Sequence, residues 1–369
     1  MHSLEEYGFD GCSIETANGT VDIRNIPSLS TIRTLQPIDG QLIVDHPLNN
    51  GTRPSYEIGS ILAEGTYGRV YHARRATRST HPRNIVIKES SSATLEEPML
   101  HAIVHKTFAD IGLGSVIPEF YEVTKQSSSL FMAMEWIQGS TLLKFFHIYL
   151  TKITNAAKVI FLPVSLQVSR TRNDTLVLDV LVQSSIYLTI LQKKLRFNHR
   201  DMKLNNLLIR HTSSRSRSIL RRLDHPLLPT PWNCLYDLVM IDFGFACIAC
   251  DSKKSMLEAG TFFKPDYDCM NAGRDLALLI YSIHAYFPLD QYVSPSLWTF
   301  LHQCMMAHKG PQRIQLLDGI QTDGIPCPTP HTPVPFDAGV YLFLRETNVE
   351  IPGCVPSVFL KGIAEEFVV

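Results

Sequence analysis

His199-Arg200-Asp201-Met202-Lys203-Leu204-Asn205-Asn206 runs into the apolar Leu207-Leu208-Ile209, and thirty residues on Leu238-Val239-Met240-Ile241 ends at Asp242-Phe243-Gly244. Both stretches place polar, chemically capable side chains beside an apolar strand. Asp201 can accept a hydrogen bond from a hydroxyl, Lys203 supplies a mobile cation, and Asn206 and Asp242 offer oxygens of the kind that hold a hard divalent ion. Gly244 lets the chain turn sharply behind Asp242.

Reading outward toward the N-terminus, two further segments supply complementary parts. Leu62-Ala63-Glu64-Gly65-Thr66-Tyr67-Gly68-Arg69-Val70 is a turn between two strand-like runs, where Gly65 and Gly68 allow backbone N–H groups to approach phosphate oxygens. Ile85-Val86-Ile87-Lys88 is an apolar strand ending in a cation. Holding a triphosphate, neutralising it with a metal ion and aiming a hydroxyl at it requires this set of components. Each segment alone has an ordinary reading, as a hairpin turn or a solvated lysine; all four in this order do not.

The order resembles the eukaryotic-type protein kinase superfamily over roughly residues 54–290. The resemblance implies an α+β, bilobal fold with a small β-rich lobe carrying one helix and a larger, mainly helical lobe. It implies a serine/threonine protein kinase using ATP with Mg²⁺, or Mn²⁺ in its place. Asp201 takes the role of catalytic carboxylate, with Lys203 at the γ-phosphate. Lys88 contacts the α/β-phosphates, oriented by a helix carboxylate, Glu97, with Glu96 as the neighbouring alternative. The turn 62–70, Val86, Met134 at the back of the adenine pocket and the hinge Glu135-Trp136-Ile137 bind the nucleotide. Asn206 and Asp242 ligate the metal. Arg200, Gly244, Thr261 and the helix-opening Asp275 support the loops, and Ser252 and Ser255 are candidate phosphate acceptors facing Arg200. Lys203 two residues after Asp201, with Gly260-Thr261, favours serine or threonine as the acceptor in a protein substrate. The alternatives are a pseudokinase acting as a binding module and a small-molecule phosphotransferase of the same fold.

The chain also departs from that family. Ala63 stands at the first glycine of the turn, Val86 where a smaller residue is usual, and Phe262-Phe263-Lys264-Pro265-Asp266 follows Thr261 without Ala-Pro-Glu. These departures imply a divergent lineage, such as one from a large DNA virus.

The remaining sequence sets bounds. Of 369 residues, 45% are hydrophobic and 19% charged, which predicts a folded, soluble chain, and the net charge of −1 gives no global attraction for nucleic acid or membrane. Val159–Leu166 and Leu176–Leu191 are apolar but interrupted too early for a membrane span of about 20 residues. Eight cysteines without a secretory leader point to reduced thiols in cytoplasm or nucleus, with Cys247-x-x-Cys250 among them. Residues 1–53 read as an extension partly packed on the domain, 54–137 as the small lobe and 138–369 as the large one. Glu96–Ala109 reads as a helix with Pro98 in its first turn, and 176–195 as a buried helix. Residues 210–222 carry five Arg and no acid and read, on to Trp232, as a surface insertion; 308–335, rich in Pro, Gly and Thr, read as irregular.

Overall fold

The computed structural model describes residues 13–16, 19–22, 32–38, 41–44, 54–65, 68–77, 80–90, 94–150, 164–211, 221–249, 256–258, 271–309, 312–317, 340, 344–345 and 349–367. The chain divides into two compact units. The first comprises Met1–Gln138 with the returning segments Ile241–Phe245 and Cys250–Ala259; the second comprises Gly139–Met240, Ala246–Ala249 and Gly260–Val369. Strands dominate the first and helices the second, the α+β division that the sequence predicts.

The first unit opens with a hairpin, β1 (Ser13–Thr16) on β2 (Gly19–Asp22). Seven strands then close a barrel: β3 (Arg33–Ile38), β4 (Gln41–Val44), β5 (Ser55–Gly65), β6 (Gly68–Thr77), β7 (Thr80–Ser90), β8 (Phe120–Gln126) and β9 (Ser129–Glu135), in the order β3-β4-β5-β6-β7-β9-β8. Neighbours are antiparallel except β3 on β8. The β-branched run Ile85-Val86-Ile87 suits β7 to a central place between β6 and β9. Its alternation sorts two environments. Ile85 and Ile87 pack inward with Leu35, Tyr56, Ala73, Phe131 and Ala133, which turns Val86 and Lys88 to the opposite face. Helix α1 (Glu96–Ala109) follows β7, with Pro98 in its first turn, where no helical N–H is lost.

The N-terminal extension is shorter than the sequence suggests, because β3 and β4 are barrel strands. The reason is a buried ionic cluster. Glu122 of β8, 1% exposed, pairs with Arg33 of β3 at 2.6 Å and with Arg75 of β6 at 3.3 Å, and accepts a bond from the Tyr56 hydroxyl of β5. Ile32 and Leu35 are buried alongside, so β3 both covers the edge of β8 and neutralises its carboxylate.

In the second unit, β10 (Gly139–Thr141) and α2 (Leu142–Tyr149, capped by the Thr141 hydroxyl) lead to α3 (Val164–Leu195). Short strands follow: β11 (Phe197–Asn198), β12 (Leu207–Arg210), β13 (Arg222–Leu223), β14 (Trp232–Asn233), β15 (Asp237–Met240) and β16 (Cys247–Ala249). β12 pairs with both β10 and β15, and β11 with β16. β17 (Met256–Glu258) belongs to the first unit. Helices α4 (Arg274–Tyr286), α5 (Leu289–Tyr292) and α6 (Pro295–Cys304), the hairpin β18 (Met306–Lys309) with β19 (Gln312–Gln315), and α7 (Pro356–Glu366) complete it. Met306–Lys309 and Gln312–Gln315 are thus paired strands where an irregular stretch was expected from 308 onward.

Two further expectations change. Over Thr171–Leu195, α3 is long and apolar enough to cross a membrane by length and composition, whereas the sequence suggested only shorter runs; 78% of that apolar window is buried in the protein, which marks a core helix. Two of its polar residues find partners, mostly on other elements: Asn173 Nδ2 donates to Tyr292 O, and Gln183 Nε2 to Asp179 and Tyr236 O. The stretch 221–236 is not a loose surface insertion. Trp232 Nε1 and Leu235 N donate to Asp179 at 2.8 and 3.1 Å, Arg221 pairs with Asp237 at 2.5 Å and reaches Tyr187, and Leu223, Leu228 and Cys234 are buried. Residues 212–220 lie outside the described residues. Cys247 is disulfide-bonded, against the expectation of reduced thiols; among the described residues Cys234, Cys304 and Cys354 are free.

If β3 and β4 are structural, deleting residues 1–53 lowers the unfolding midpoint in urea, and Arg33→Ala alone destabilises by about 1–3 kcal/mol through a buried carboxylate left short of a partner. A dispensable extension would leave both midpoints at the parent value.

Candidate active-site residues

In the first unit, three segments converge on the end of β7. Lys88 Nζ lies 2.5 Å from Glu97 Oε1 in the first turn of α1 and 2.8 Å from Asp242 Oδ1. Glu97, not Glu96, is the partner because the short link from β7 to α1 sets which first-turn carboxylate faces the strand. Burial alone would lower the Lys88 pKa; the Asp242 and Glu97 carboxylates outweigh it and hold the ammonium above its ordinary value. Two carboxylates against one ammonium leave the cluster net negative. Asp242 has φ 65°, a left-handed conformation uncommon for a residue with a side chain, and its carboxylate is 37% exposed. Gly244 lies against it: a Cβ there would come within 3.3 Å of Asp242 Oδ1 and 3.5 Å of Glu97 Oε2.

The glycine turn joins β5 to β6. Ala63 pairs with Val70, Glu64 with Arg69 and Gly65 with Gly68. Gly68 has φ +144°, and a Cβ there would sit 1.8 Å from Glu89 O on β7, so no other residue fits. Leu62, Ala63, Glu64 and Arg69 are exposed, and the Glu64–Arg69 pair at 2.8 Å is a surface contact. Thr66 and Tyr67 lie outside the described residues. Val86 pairs with Met134 across β7 and β9. Met134 and Ile137 are buried, and Glu135 N donates to Glu119 O at 2.8 Å.

In the second unit, Asp201, Lys203 and Asn206 form one constellation. Asp201 Oδ2 lies 2.7 Å from Lys203 Nζ and 2.7 Å from Asn206 Nδ2, which also donates to Asp201 O at 2.9 Å. Asn206 therefore turns its amide nitrogen to Asp201, leaving Oδ1 as its atom suited to a cation. The loop is braced from α4: Asp275 accepts from His199 N at 2.7 Å and Arg200 N at 2.8 Å, and Ser282, two turns later, accepts from Leu204 N at 3.2 Å. Burial pushes the Asp275 pKa up, and these two N–H bonds act against that shift by stabilising the carboxylate. Arg200 is fully buried with φ 62°. Thr261, Ser252 and Ser255 lie outside the described residues.

Residues 56–218 match the family model for protein tyrosine and serine/threonine kinases. These residues belong to the eukaryotic-type protein kinase superfamily. The match spans Lys88, Glu97, Asp201, Lys203 and Asn206, and ends before Asp242 and Asp275. Among solved structures, the BubR1 kinase domain is similar at 12% identity, with 91% of this chain and 84% of that one covered and a TM-score of 0.44. The autoinhibited serine kinase domain of the giant muscle protein titin is similar at 14% identity over 62% and 60%, with a TM-score of 0.34. No curated protein matches the chain.

One residue of this kinase domain escaped the sequence reading. His101 of α1, one turn beyond Glu97, is buried, places its ring edge-on to Phe243 at 5.3 Å, and bonds Pro118 O through Nε2 at 2.8 Å. Only its i+4 spacing from Glu97 could have flagged it. Burial, with smaller contributions from His105 and Lys88 against the Pro118 bond, lowers its pKa to about 4. The unfolded chain takes up that proton near pH 6.5, so His101 favours folding above pH 6.5, and the contribution is lost as pH falls toward 4. His101→Gln keeps a donor for Pro118 without titrating. Between pH 7 and 5 the parent should lose on the order of 1–2 kcal/mol more urea stability than this variant; parallel losses would remove His101 as the cause.

Proposed function

We propose that the protein is a serine/threonine kinase that transfers the γ-phosphoryl group of ATP to protein hydroxyls. The observation that carries this reading is the constellation on the 199–206 loop, where one carboxylate, one ammonium and one amide are bonded together and locked to α4 through Asp275. Such preorganisation is what in-line transfer asks of a protein, since positioning and charge stabilisation supply most of the catalysis.

In this reading the acceptor hydroxyl donates to Asp201 while its oxygen attacks the γ-phosphorus. The bond to the β–γ bridging oxygen breaks, ADP leaves, and the proton ends on the carboxylate. Lys203 turns from Asp201 to the γ-phosphate, and Lys88 holds the α/β-phosphates. The Gly65–Gly68 turn covers the nucleotide, Val86 and Met134 meet the adenine, and the backbone of Glu135 and Ile137 binds its edge. Asp242 and Asn206 would hold Mg²⁺, which neutralises phosphate charge; the net negative Lys88–Glu97–Asp242 cluster and the orientation of the Asn206 amide fit that cation. The left-handed backbone at Asp242 and Arg200 costs on the order of 1–3 kcal/mol each, and strain of this kind concentrates where function requires it. Lys203 favours serine and threonine over tyrosine. We place the protein in cytoplasm or nucleus, which the three free thiols among the described residues support and the Cys247 disulfide does not.

A pseudokinase is the second reading, favoured by Ala63 in the glycine turn. Purified protein with labelled ATP·Mg²⁺ and mixed Ser, Thr and Tyr peptides separates the two. Asp201→Ala should lower kcat by about 100-fold or more, with label on Ser and Thr alone; transfer no higher than in Asp201→Ala would sink the enzyme reading. Asp242→Asn should raise the Mg²⁺ concentration needed for half-maximal turnover about tenfold or more, and an unchanged requirement would remove Asp242 from metal binding.

A further inference from the structure

The second unit contains a cavity of about 500 Å³ that none of the roles above uses. It lies between the last turn of α6 (His302, Gln303), one face of the β18–β19 hairpin (Met306, His308, Arg313, Gln315) and the turn Pro352–Gly353. The hairpin register explains the shared face. His308 is directly opposite Arg313 and Met306 opposite Gln315, two residues along, so all four side chains stand on one side of the ribbon.

The lining has a definite chemical character. It offers a guanidinium, two imidazoles and two carboxamides, and no carboxylate. Arg313 makes no ion pair with any described residue. The α6 carbonyls, which would repel an anion, are partly engaged, since Met305 N donates to Leu301 O. A metal ion does not suit the site: no group of three His, Cys, Asp or Glu side chains converges among the described residues. We propose that this cavity is a binding site for a phosphomonoester, with Arg313 and His308 on the phosphate and Met306 and Pro352 against the organic group. Arg binds phosphate oxygens through its planar fork, and neighbouring imidazole and amide donors can satisfy the rest. The volume falls within the range of small-molecule sites and leaves room for the ester as well as the phosphate.

The walls are fixed before any ligand arrives. At Gly353 a Cβ would lie 2.6 Å from Cys304 Cα, so the turn presses directly on the end of α6 and only glycine allows it. Cys354 Sγ donates to Cys304 O at 3.2 Å, His308 N to Glu350 O at 3.1 Å, and Asn271 Nδ2 to Val349 O at 2.9 Å. A preformed cavity spends little binding energy on ordering itself.

The test is calorimetric titration of the full chain carrying Lys88→Met and Asp201→Ala, which separates this site from nucleotide binding and from catalysis; its outcome is independent of whether the protein is an active kinase. The probes are phenyl phosphate, phenol and a short phosphoserine peptide. Phenyl phosphate should bind and phenol should not. Arg313→Ala should weaken phenyl phosphate at least tenfold, and Arg313→Lys less, because a point charge replaces the fork. Arg313 is exposed, so neither change threatens the fold. Tighter binding of the peptide assigns the site to a phosphorylated protein segment, and equal affinity assigns it to a small phosphate ester. No binding to the parent, equal binding to Arg313→Ala, or equal binding of phenol overturns the proposal.

Discussion

The ammonium of Lys88 is the fixed point of the β-rich unit. It lies at the end of the central strand, faces away from the barrel core, and is held by carboxylates from two other parts of the chain. Satisfying it fixes three things together: the register of β7, the position of the first turn of α1, and the path of the returning segment 241–245. Removing either carboxylate would leave a cation that is largely buried and short of a partner, a loss of about 3–5 kcal/mol where burial is complete and less here, since Asp242 is partly exposed. The same satisfaction creates a functional tension. Glu97 and Asp242 together overcompensate one ammonium, so the cluster is stable yet still favours further positive charge. His101 belongs to this arrangement too, because its ring packs on Phe243, directly after Asp242. An imidazolium there would bury a charge with little compensation, and the neutral ring is what the packing requires.

The helical unit uses a different device for the same end. Asp275 holds two successive backbone N–H groups at once, which fixes the start of the 199–206 loop in orientation as well as position. Side chains downstream are then placed by local geometry: the turn Leu204–Asn206 brings the Asn206 amide back to Asp201. One carboxylate at the opening of α4 thus sets the frame in which Asp201, Lys203 and Asn206 are held. Its burial is tolerable because both oxygens are occupied by donors, and a half-satisfied carboxylate there would cost more than an apolar residue.

Much of this was legible in the sequence, for identifiable reasons. The residues of the two loops have few chemical alternatives at their spacing, so Asp201, Lys203, Asn206 and Asp242 could be named from the chain alone. Glu96–Ala109 was legible because an acidic first turn, Pro98 and an apolar run all agree on one helix. What was not legible depends on distant partners. Arg33 looks like any surface cation until Glu122, 89 residues away, is seen to need it, and so β3 and β4 were read as an extension. Arg221 and Trp232 sit in a stretch of basic and Pro-rich character, and local composition says loop. Their anchors, Tyr187, Asp237 and Asp179, lie up to 53 residues away.

Those two misreadings share a cause: each involves a charged or polar group whose burial is decided by a partner far along the chain. Asp179 shows the principle in its simplest form. It occupies the middle of an apolar helix, where burial pushes its pKa up to about 6 despite four hydrogen bonds acting the other way. A carboxylate so placed is expensive unless donors reach it, and the donors come from Trp232, Leu235 and Gln183. The segment 221–236 is therefore held to α3 by the need of a buried acid, not by its own propensity. Hydrophobic periodicity reports which face of an element is buried, but it is silent on polar residues within that face. An isolated Asp in an apolar helical run is the signal that some other segment must arrive to satisfy it, and in this chain the arriving segment is the one whose composition reads as a solvated loop.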